Sequence, residues 1–455
     1  MNMIFGAMGP CVWRRALRTA QQTAGAGLHT LGMPGGMMGA RAAAPGPGCP
    51  RRCVWHGLDC AIVFDGRLTN RAELRSLAER RGFPLADGDD GELALALYML
   101  FGQECVQMLH GAFALAVFDY QQNILFLARD RLGLAPLWLV RRGPMLAFAS
   151  RVQPLLALPE IEPVITRQGL GQLILSPAPV GMVFRDVQAF PAGHTAIFRS
   201  GSLTLRRSWF LRSRPLLGGE AAETRAETLR RNALDAYGEG GAMLQCPSAP
   251  KMPGPSLFAA AVAAADLPGQ ISPALLALLQ QTAGRSAFAL ADVGAAGLFA
   301  LSPEPGDLSL LRENALPASG LPHRPLPPCA DEDAAHTRLL RRQTLREVLL
   351  PRAACWDAMG RAAGLAVHFP YLDHRLVEYE YNLRTPMAGC AAAEPAAEPL
   401  PQSALESLAS PQAFLAPVLQ PQAVAAALES GQPTPLLHRL ALINAWAEAH
   451  ALRLA

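Results

Sequence analysis

One apolar stretch that is interrupted by charges constrains the fold of this chain more than any other: LARDRLGLAPLWL, residues 127–139. The run before it, residues 110–126, is apolar on both sides of the polar segment DYQQN, which is typical of two strands joined by a tight turn. Charged side chains are costly inside a sheet unless they pair with each other or with the backbone. The triplet Arg129-Asp130-Arg131 therefore predicts a corner of a buried sheet, and a surface turn with solvated charges is the alternative.

The length and composition indicate a globular protein with more than one core. At 455 residues the chain exceeds what one hydrophobic core normally organises, so two domains are expected. Hydrophobic residues make up 51% and charged residues 17%, which excludes an intrinsically disordered chain. The formal net charge of +3 gives no indication of nucleic-acid or membrane binding, and no apolar run reaches the roughly 18 residues of a spanning helix.

The nine cysteines are odd in number and scattered, a pattern that favours free thiols in a reducing cytoplasm. Their one cluster holds four potential zinc ligands, Cys49, Cys53, His56 and Cys60, but the spacing is not that of a standard zinc site. Cys60 also begins the apolar run CAIVF, where a thiol is an ordinary small core residue. We therefore predict no metal site, with a role for the cluster as the alternative.

The first 58 residues contain six arginines and no acidic residue, a pattern that also occurs in organellar transit peptides. Residues 3–8, MIFGAM, have instead the pattern of a short strand, for which a removable peptide has no need. The expectation is therefore a cytoplasmic protein, with targeting as the alternative.

Residues 1–210 have the pattern of many short strands with few helices. The strands are predicted in MIFGAM, CAIVFDG, the pair around DYQQN, MLAFAS, HTAIF and LTLRRSW. Two helices are predicted in RAELRSLAERRG and GELALALYMLFG, each of which stops at a glycine suited to a helix C-terminus. This order predicts an α+β domain built on packed sheets, a sandwich.

Several of these segments carry a resemblance to a known family. VFDGRLTNRAEL, DDGELALALY, HGAFALAVFD, LARDRLGLAPLWL, MLAFAS and FPAGH resemble, in order and spacing, the glutaminase domain of the asparagine synthetases, which are class II (type 2) glutamine amidotransferases. The resemblance covers nearly all of residues 1–210 and implies an Ntn-hydrolase-like fold. It also implies hydrolysis of glutamine by a cysteine that follows the initiator methionine, whose free α-amine acts as the base.

The family's catalytic groups are changed in this sequence. Asn2 stands where the nucleophilic cysteine is expected, and an amide cannot do that chemistry. The family's oxyanion hole is an Asn-Gly pair, and the matching pair here is Asp65-Gly66, whose carboxylate would repel a developing negative charge. We therefore expect no intact catalytic residue and no glutamine hydrolysis by the family route.

The resemblance also implies two residues that hold glutamine's own carboxylate and amino group, and these match Arg41 and Asp90. Together with Asp65 and Gly66 they form the predicted binding site for glutamine or a similar amino acid. In the alternative interpretation Arg41 is a surface arginine and Asp90 a solvated loop carboxylate beside Asp87 and Asp89.

Residues 211–455 change to helix-forming composition with Ala-rich runs. DAMGRAAGLAVHFPYLDHRLVEYEYNL, residues 357–383, and LALINAWAEAH resemble the family's synthetase domain of the ATP-pyrophosphatase type, which forms an amide on aspartate with ATP, Mg²⁺ and the nitrogen of glutamine. Only about thirty residues separate the two segments where nucleotide loops are expected, too few for a full doubly wound sheet. The prediction is a helix-rich, shortened and degenerate α/β domain.

The nucleotide loops of this second domain are altered. Residues 241–264 occupy the place of the family's pyrophosphate loop but contain prolines 247, 250, 253 and 255, which have no N–H to offer a phosphate. Lys251 is a point charge that could contact phosphate or be solvated, and residues 291–302 have lost the acidic pair where Mg²⁺ is expected. The predicted remnants of ATP binding are Leu244, Ala291 and Asp292.

Three hypotheses follow from these losses. The first is a divergent ligase-family protein with little or no asparagine synthesis. The second is a non-catalytic binding or regulatory protein that uses the predicted amino-acid site or pairs with an active paralogue or with its own copies. The third is a cyclase of the β-lactam or lasso-peptide type, which ranks last because such enzymes depend on the ATP loop.

Overall fold

The chain divides into two compact units. A computed structural model describes residues 3–9, 27–41, 49–176, 182–238, 240–245, 252–293, 332–384, 398–429 and 434–455. The first unit comprises residues 1–162 and 186–211, and the second comprises residues 163–185 and 212–455. Residues 163–185 thus belong to the second unit, although they precede the last part of the first unit in the sequence. A single boundary after residue 210 would assign them to the first unit.

One sheet of the first unit has six antiparallel strands in the order β11-β8-β9-β1-β3-β2. Its strands are β1 (Met3–Met8), β2 (Leu28–Met33), β3 (Gly36–Arg41), β8 (Trp138–Arg142), β9 (Met145–Ala149) and β11 (Val187–Ala189). Strand β1, predicted in MIFGAM, lies between β3 and β9, and Phe5 pairs with Ala149 of the predicted strand MLAFAS. Both predicted strands are confirmed, and they form the centre of this sheet.

The second sheet of this unit also has six antiparallel strands, in the order β13-β12-β7-β6-β5-β4. Its strands are β4 (Arg51–Trp55), β5 (Leu58–Leu68), β6 (Gly111–Asp119), β7 (Ile124–Arg129), β12 (His194–Arg199) and β13 (Ser202–Arg207). The turn between β4 and β5 is His56-Gly57, both with positive φ, as a two-residue hairpin requires. The predicted pair around DYQQN is the β6–β7 hairpin.

The alternation of side chains along the strands explains how the layers pack. Ala61 and Val63 of β5 join the core between the two sheets, whereas Ile62 and Phe64 join a core under two helices. These helices are α1 (Arg71–Arg80) and α2 (Asp90–Phe101), followed by a 3₁₀ segment at Gly102–Gln107. Gly82 and Gly102, the predicted stops, both have positive φ. The predicted α+β sandwich is confirmed.

The charged triplet forms the predicted corner. Asp130, 1% exposed, accepts hydrogen bonds from the N–H groups of residues 132, 133, 134 and 135 at 2.8–3.1 Å. Arg129 donates to the carbonyl oxygens of Gly133, Ala135 and Phe190 at 2.6–2.7 Å. Arg131 donates to those of Leu109 and Gln107. The three charges therefore hold backbone groups of the loop after β7 and of the segment before β6, as a buried corner requires.

The second unit is rich in helices, as predicted. Its helices are α4 (Arg167–Leu175), α5 (Glu220–Asp235), α6 (Pro255–Ala264), α7 (Pro273–Thr282), α8 (Glu332–Gln343), α9 (Leu350–Ala363), α10 (His374–Tyr381), α11 (Gln402–Glu406), α12 (Pro421–Glu429) and α13 (Pro435–Ala449); α3 (Gln153–Leu156) belongs to the first unit. Short 3₁₀ segments lie at Pro268–Gln270, Pro370–Leu372 and Ser407–Ala409, and a π-helical segment, Thr344–Leu349, joins α8 to α9.

The sheet of the second unit is small and parallel. Strands β14 (Gly241–Leu244), β15 (Phe288–Ala291) and β16 (Ala366–His368) lie in that order, and β10 (Val164–Ile165) pairs with β17 (Arg453–Leu454). Three parallel strands agree with the predicted shortened α/β unit within the described ranges. Nowhere in these ranges is a helix both long and apolar enough to cross a membrane.

We expect Asp130→Ala to lower the free energy of unfolding by roughly 3 kcal/mol or more, because several buried N–H groups would lose their acceptor together. Urea titration followed by circular dichroism measures the loss. Asp59→Asn is the matched control, since Asp59 lies in the same sheet in a solvent-screened pair with Arg52 and should cost far less. Equal losses in the two variants would contradict the assigned role of the corner.

Candidate functional site

Asp65 and Gly66 lie near the end of β5, opposite Ala114 and Phe113 of β6. Asp65 is 5% exposed and, by the alternation of the strand, points toward the core between the sheets with Ala61 and Val63. Gly66 is exposed and has φ +131°. A Cβ atom there would lie 2.1 Å from the carbonyl oxygen of Ala112, so only glycine fits. The strand thus presents an open stretch of backbone beside a buried carboxylate.

Asp90 begins α2 and lies at the same end of β5. It is 8% exposed, and the N–H of Leu68, the last residue of β5, hydrogen-bonds to its carboxylate. Burial raises the pKa of Asp90 to about 6, and the nearby Arg71 guanidinium and the Leu68 N–H act in the opposite direction. Of the predicted site residues, Asp65 and Gly66 therefore lie on β5, and Asp90 is bonded to the last residue of that strand. Asp90 is buried, so the alternative of a solvated loop carboxylate is wrong.

Two oxygen atoms at this strand end are buried and, within the described part of the chain, receive no hydrogen bond: Oδ1 of Asp90 and Oγ1 of Thr69. Arg71 Nε lies 3.1 Å from Asp90 Oδ1 as an ion pair, but the contact lacks hydrogen-bond geometry. We call Asp65, Gly66, Thr69, Arg71 and Asp90 the β5-end site.

The loop before Asp90 is held from several sides. The carboxylate of Glu92 accepts hydrogen bonds from the N–H groups of Ala86, Asp87 and Gly88 at 2.7, 2.9 and 2.5 Å. Asp89 caps α2 by accepting from the N–H of Glu92 at 2.8 Å. These bonds fix the backbone on which Asp90 stands and so limit the positions that its carboxylate can take.

Arginines complete the support of this loop. Arg51 of β4 pairs with Asp87 at 3.0 Å and also with Asp89, and Arg71 donates to the carbonyl oxygen of Gly88 at 3.2 Å. Sequence reasoning missed Arg51, Arg71 and Glu92. The spacing Asp89-x-x-Glu92 was an available signal, because it is the pattern of a helix N-terminus with a reciprocal cap. Arg51 had no local signal, since it comes from another strand.

The remaining predicted residues of the first unit are Arg41 and Asn2. Arg41 is the exposed last residue of β3, opposite Met3 of β1, and its role in binding stays a prediction. Asn2 lies outside the described residues.

The cysteine cluster has the character of core residues. Cys53 and Cys60 are paired across β4 and β5 and pack on the helix-side core, and burial raises the pKa of Cys60 to about 12. Across the described ranges, no three His, Cys, Asp or Glu side chains are arranged to hold a metal ion. The structure thus favours ordinary core thiols at Cys53 and Cys60.

In the second unit the predicted ATP remnants meet at the carboxyl edge of the parallel sheet. Leu244 pairs with Ala291, and the N–H of Asp292 donates to the carbonyl oxygen of Leu244 at 3.2 Å. The next helix, α6, starts at Pro255 after Gly254, which provides no side-chain cap. Lys251, Pro247 and Pro250 lie outside the described residues.

Two family models match the chain in succession: the glutamine amidotransferase domain over residues 54–209 and asparagine synthase over residues 222–394. The curated protein "Asparagine synthetase [glutamine-hydrolyzing] 3" of Bacillus subtilis is 32% identical over 167 residues, 36% of this chain and 27% of that protein. A putative asparagine synthetase of Methanocaldococcus jannaschii is 34% identical over 103 residues, 23% of this chain and 19% of that protein. The matched segments thus span about a quarter or less of these relatives.

Among solved structures, the glutamine phosphoribosylpyrophosphate amidotransferase of B. subtilis in complex with ADP and GMP is similar over 54% of this chain and 61% of that chain, with 15% identity and a TM-score of 0.36. The assignment to a family rests on the sequence matches, which cover both units in order. The chain belongs to the asparagine synthetase family, with a glutamine amidotransferase domain followed by an asparagine synthase domain.

Proposed function

We propose that this family member binds an amino acid at the β5-end site without hydrolysing a side-chain amide, and that it has lost ATP-dependent asparagine formation. The observation that carries the proposal is Asp65, a buried carboxylate beside Gly66 at the position of the family's Asn-Gly pair. The protein then acts as a binding or regulatory member of its family, on its own or with an active paralogue or further copies of itself. The cytoplasm is its proposed location.

The chemistry of Asp65 opposes amide hydrolysis. Attack on an amide carbon places negative charge on the carbonyl oxygen, and enzymes stabilise that charge with preorganised N–H donors. Removing one such donor typically costs about 100- to 1000-fold in rate. An ionised carboxylate at that position is an acceptor only and adds repulsion to the missing donor. Gly66 has the backbone conformation that only glycine can adopt here, so its main chain stays open to a bound ligand. This supports binding but does not replace the missing donor.

Asp90 supports the binding half of the proposal. Oδ1 of this buried carboxylate receives no hydrogen bond from the described part of the chain, and it is a favourable partner for an ammonium group because charge-assisted hydrogen bonds are about twice as strong as neutral ones. The bonds of Glu92 and Arg51 to the preceding loop hold Asp90 in place before a ligand arrives. Glutamine or a similar amino acid is the proposed ligand class, with Arg41 as the expected partner of its carboxylate.

The described residues of the second unit do not fit ATP and Mg²⁺, which the asparagine synthase family normally uses. Pro255 has no N–H at the start of α6, and the N–H of Asp292 is already bonded to Leu244. A phosphate cradle needs several convergent N–H groups, and magnesium needs oxygen ligands that replace part of its water shell. We therefore assign no step of the function to ATP.

The loss of synthetase activity is tested by pyrophosphate release from ATP in the presence of Mg²⁺, aspartate and ammonia, since ammonia bypasses the glutaminase domain. We expect no release above background for the full chain. A glutamine-hydrolysing asparagine synthetase assayed in parallel is the positive control. Aspartate-dependent turnover would overturn this half of the proposal.

The binding half is tested by isothermal titration with glutamine and with basic amino acids. We expect Asp90→Asn to weaken binding by about tenfold or more, because a charged partner of the ammonium group is removed. Asp59→Asn is the matched control, since Asp59 lies at the other end of β5 in a solvent-screened pair with Arg52 and takes no part in the site. Equal affinities for the chain and Asp90→Asn would show that Asp90 is not the anchor.

Asp90 also makes the stability of the first unit depend on pH. Its pKa in the folded chain, about 6, lies above the ordinary value, so the folded state binds the proton more tightly than the unfolded state. This contribution is fully present below about pH 4 and is lost as the pH rises through about 6, for a total on the order of 3 kcal/mol. Urea unfolding at several pH values should show the decline in the chain and not in Asp90→Asn; parallel profiles would contradict it.

A further inference from the structure

Cys53 and Cys60 lie directly opposite each other on the neighbouring antiparallel strands β4 and β5. The two-residue turn between these strands, His56-Gly57, fixes the register of the hairpin, so the two cysteines stay paired. Side chains that are directly opposite point to the same face of a sheet, and both cysteines pack on the core under the two helices. The fold thus places two thiol groups side by side at one edge of the second sheet.

The spacing of such a pair is compatible with a disulfide bond. Opposite residues of antiparallel strands have Cα atoms, and also Cβ atoms, roughly 4.5–5.5 Å apart. A disulfide needs Cα atoms about 4.4–6.8 Å apart and Cβ atoms about 3.5–4.5 Å apart. The Cα spacing of the pair is therefore suitable, and bonding requires only a small approach of the Cβ atoms. Because a disulfide that pulls its strands together is strained, it is also easily reduced, which suits a reversible bond.

The two thiols differ in their access to solvent. Cys53 is half-buried on β4, the last strand in the order of its sheet, whereas Cys60 is 1% exposed. Burial and, to a smaller extent, neighbouring groups that include Cys53 raise the pKa of Cys60 to about 12. Cys53 is therefore the thiol that a dissolved reagent reaches first, while Cys60 is protected from the reagent but not from its neighbour.

We propose that Cys53 and Cys60 form a reversible disulfide bond when the chain meets a low-molecular-weight disulfide such as oxidised glutathione. The Cys53 thiol loses its proton and attacks one sulfur of the reagent, which forms a mixed disulfide and releases one thiolate that takes up the proton. The Cys60 thiol then loses its proton and attacks the Cys53 sulfur, which closes the internal bond and releases the second reagent thiolate, again protonated. The two cysteines are oxidised by two electrons in total, and the reagent is reduced to two thiols.

The bond ties β4 to β5 close to the residues that support the loop before Asp90. Arg51 lies two residues before Cys53, on the same face of β4, and pairs with Asp87 and Asp89. A covalent link at Cys53 restricts the strand that carries Arg51, so local opening of β4 becomes rarer. A reducing cytoplasm keeps the pair as thiols, and the bond therefore forms in response to oxidation.

The test is mass mapping of the folded full chain after incubation with oxidised glutathione at mildly alkaline pH and alkylation of the remaining thiols. Trypsin cuts after Arg52 and Arg67, so Cys53 and Cys60 fall in one peptide, residues 53–67, that contains no other cysteine. We expect this peptide to become two hydrogen atoms lighter than its reduced form and to resist alkylation until a reductant is added. Amide hydrogen exchange of β4 should become slower in the oxidised chain.

Two variants separate the internal bond from other reactions of the thiols. Cys60→Ala should leave glutathione attached to Cys53, and Cys49→Ser, the matched control just before β4, should leave the internal bond unchanged. Circular dichroism checks the fold of each variant, and the mapping of the unchanged chain decides the question if a variant does not fold. A folded chain that carries only glutathione at Cys53, or a peptide that stays fully alkylated or is oxidised only in urea, would overturn the inference.

Discussion

The carboxylate of Asp130 and the five backbone N–H groups that it binds, those of Phe113 and of residues 132–135, form the interaction on which the first unit depends. The N–H of Asp130 donates to the carbonyl oxygen of Phe113 at 2.8 Å, so the loop after β7 is also bonded to the start of β6. Arg129 extends the connection to the carbonyl oxygen of Phe190, which precedes β12. Without these bonds, several buried backbone groups near both sheets would lose their partners at once.

The Asp130 corner also fixes the strand that lies next to the candidate site. Phe113 and Ala114 of β6 lie opposite Gly66 and Asp65 of β5, and Phe113 is the residue that bonds to Asp130. The position of the Asp65 carboxylate is thus set by a strand whose own end is fixed by a buried charge. A site placed one strand away from such a corner has little freedom to move, which favours selective binding over adaptation.

The sequence predicted those structural features that are determined by residues close together in the chain. Alternating apolar runs predicted the strands of β1, β5, β6, β7, β9 and β12, and two glycines with positive φ marked the helix ends at residues 82 and 102. The charged triplet predicted a corner because charges inside a sheet need partners. The family resemblance identified Asp65, Gly66 and Asp90, and the structure places them at one strand end.

Other features of the fold and of the site could not be predicted, because they depend on contacts between residues that are distant in the sequence. Arg51 supports the loop before Asp90 from another strand, and residues 163–185 join the second unit through a pairing of β10 with the last strand of the chain. Neither contact leaves a periodic or compositional signal nearby. Likewise the oxygens of Thr69 and Asp90 that receive no hydrogen bond from the described residues follow from burial, which depends on how whole elements pack.

The structure also shows why the backbone around Asp65 does not depend on the charge of that side chain. Gly66 keeps its conformation because a side chain there would collide with the carbonyl oxygen of Ala112, whatever residue precedes it. Asp and Asn have nearly the same shape, so the backbone of β5 does not depend on which of them occupies position 65. The charge does matter, because it converts a group that can donate to a carbonyl oxygen into one that can only accept. The conformation of β5 at this point is therefore kept by sterics and by the Asp130 corner, whichever of the two side chains stands at position 65.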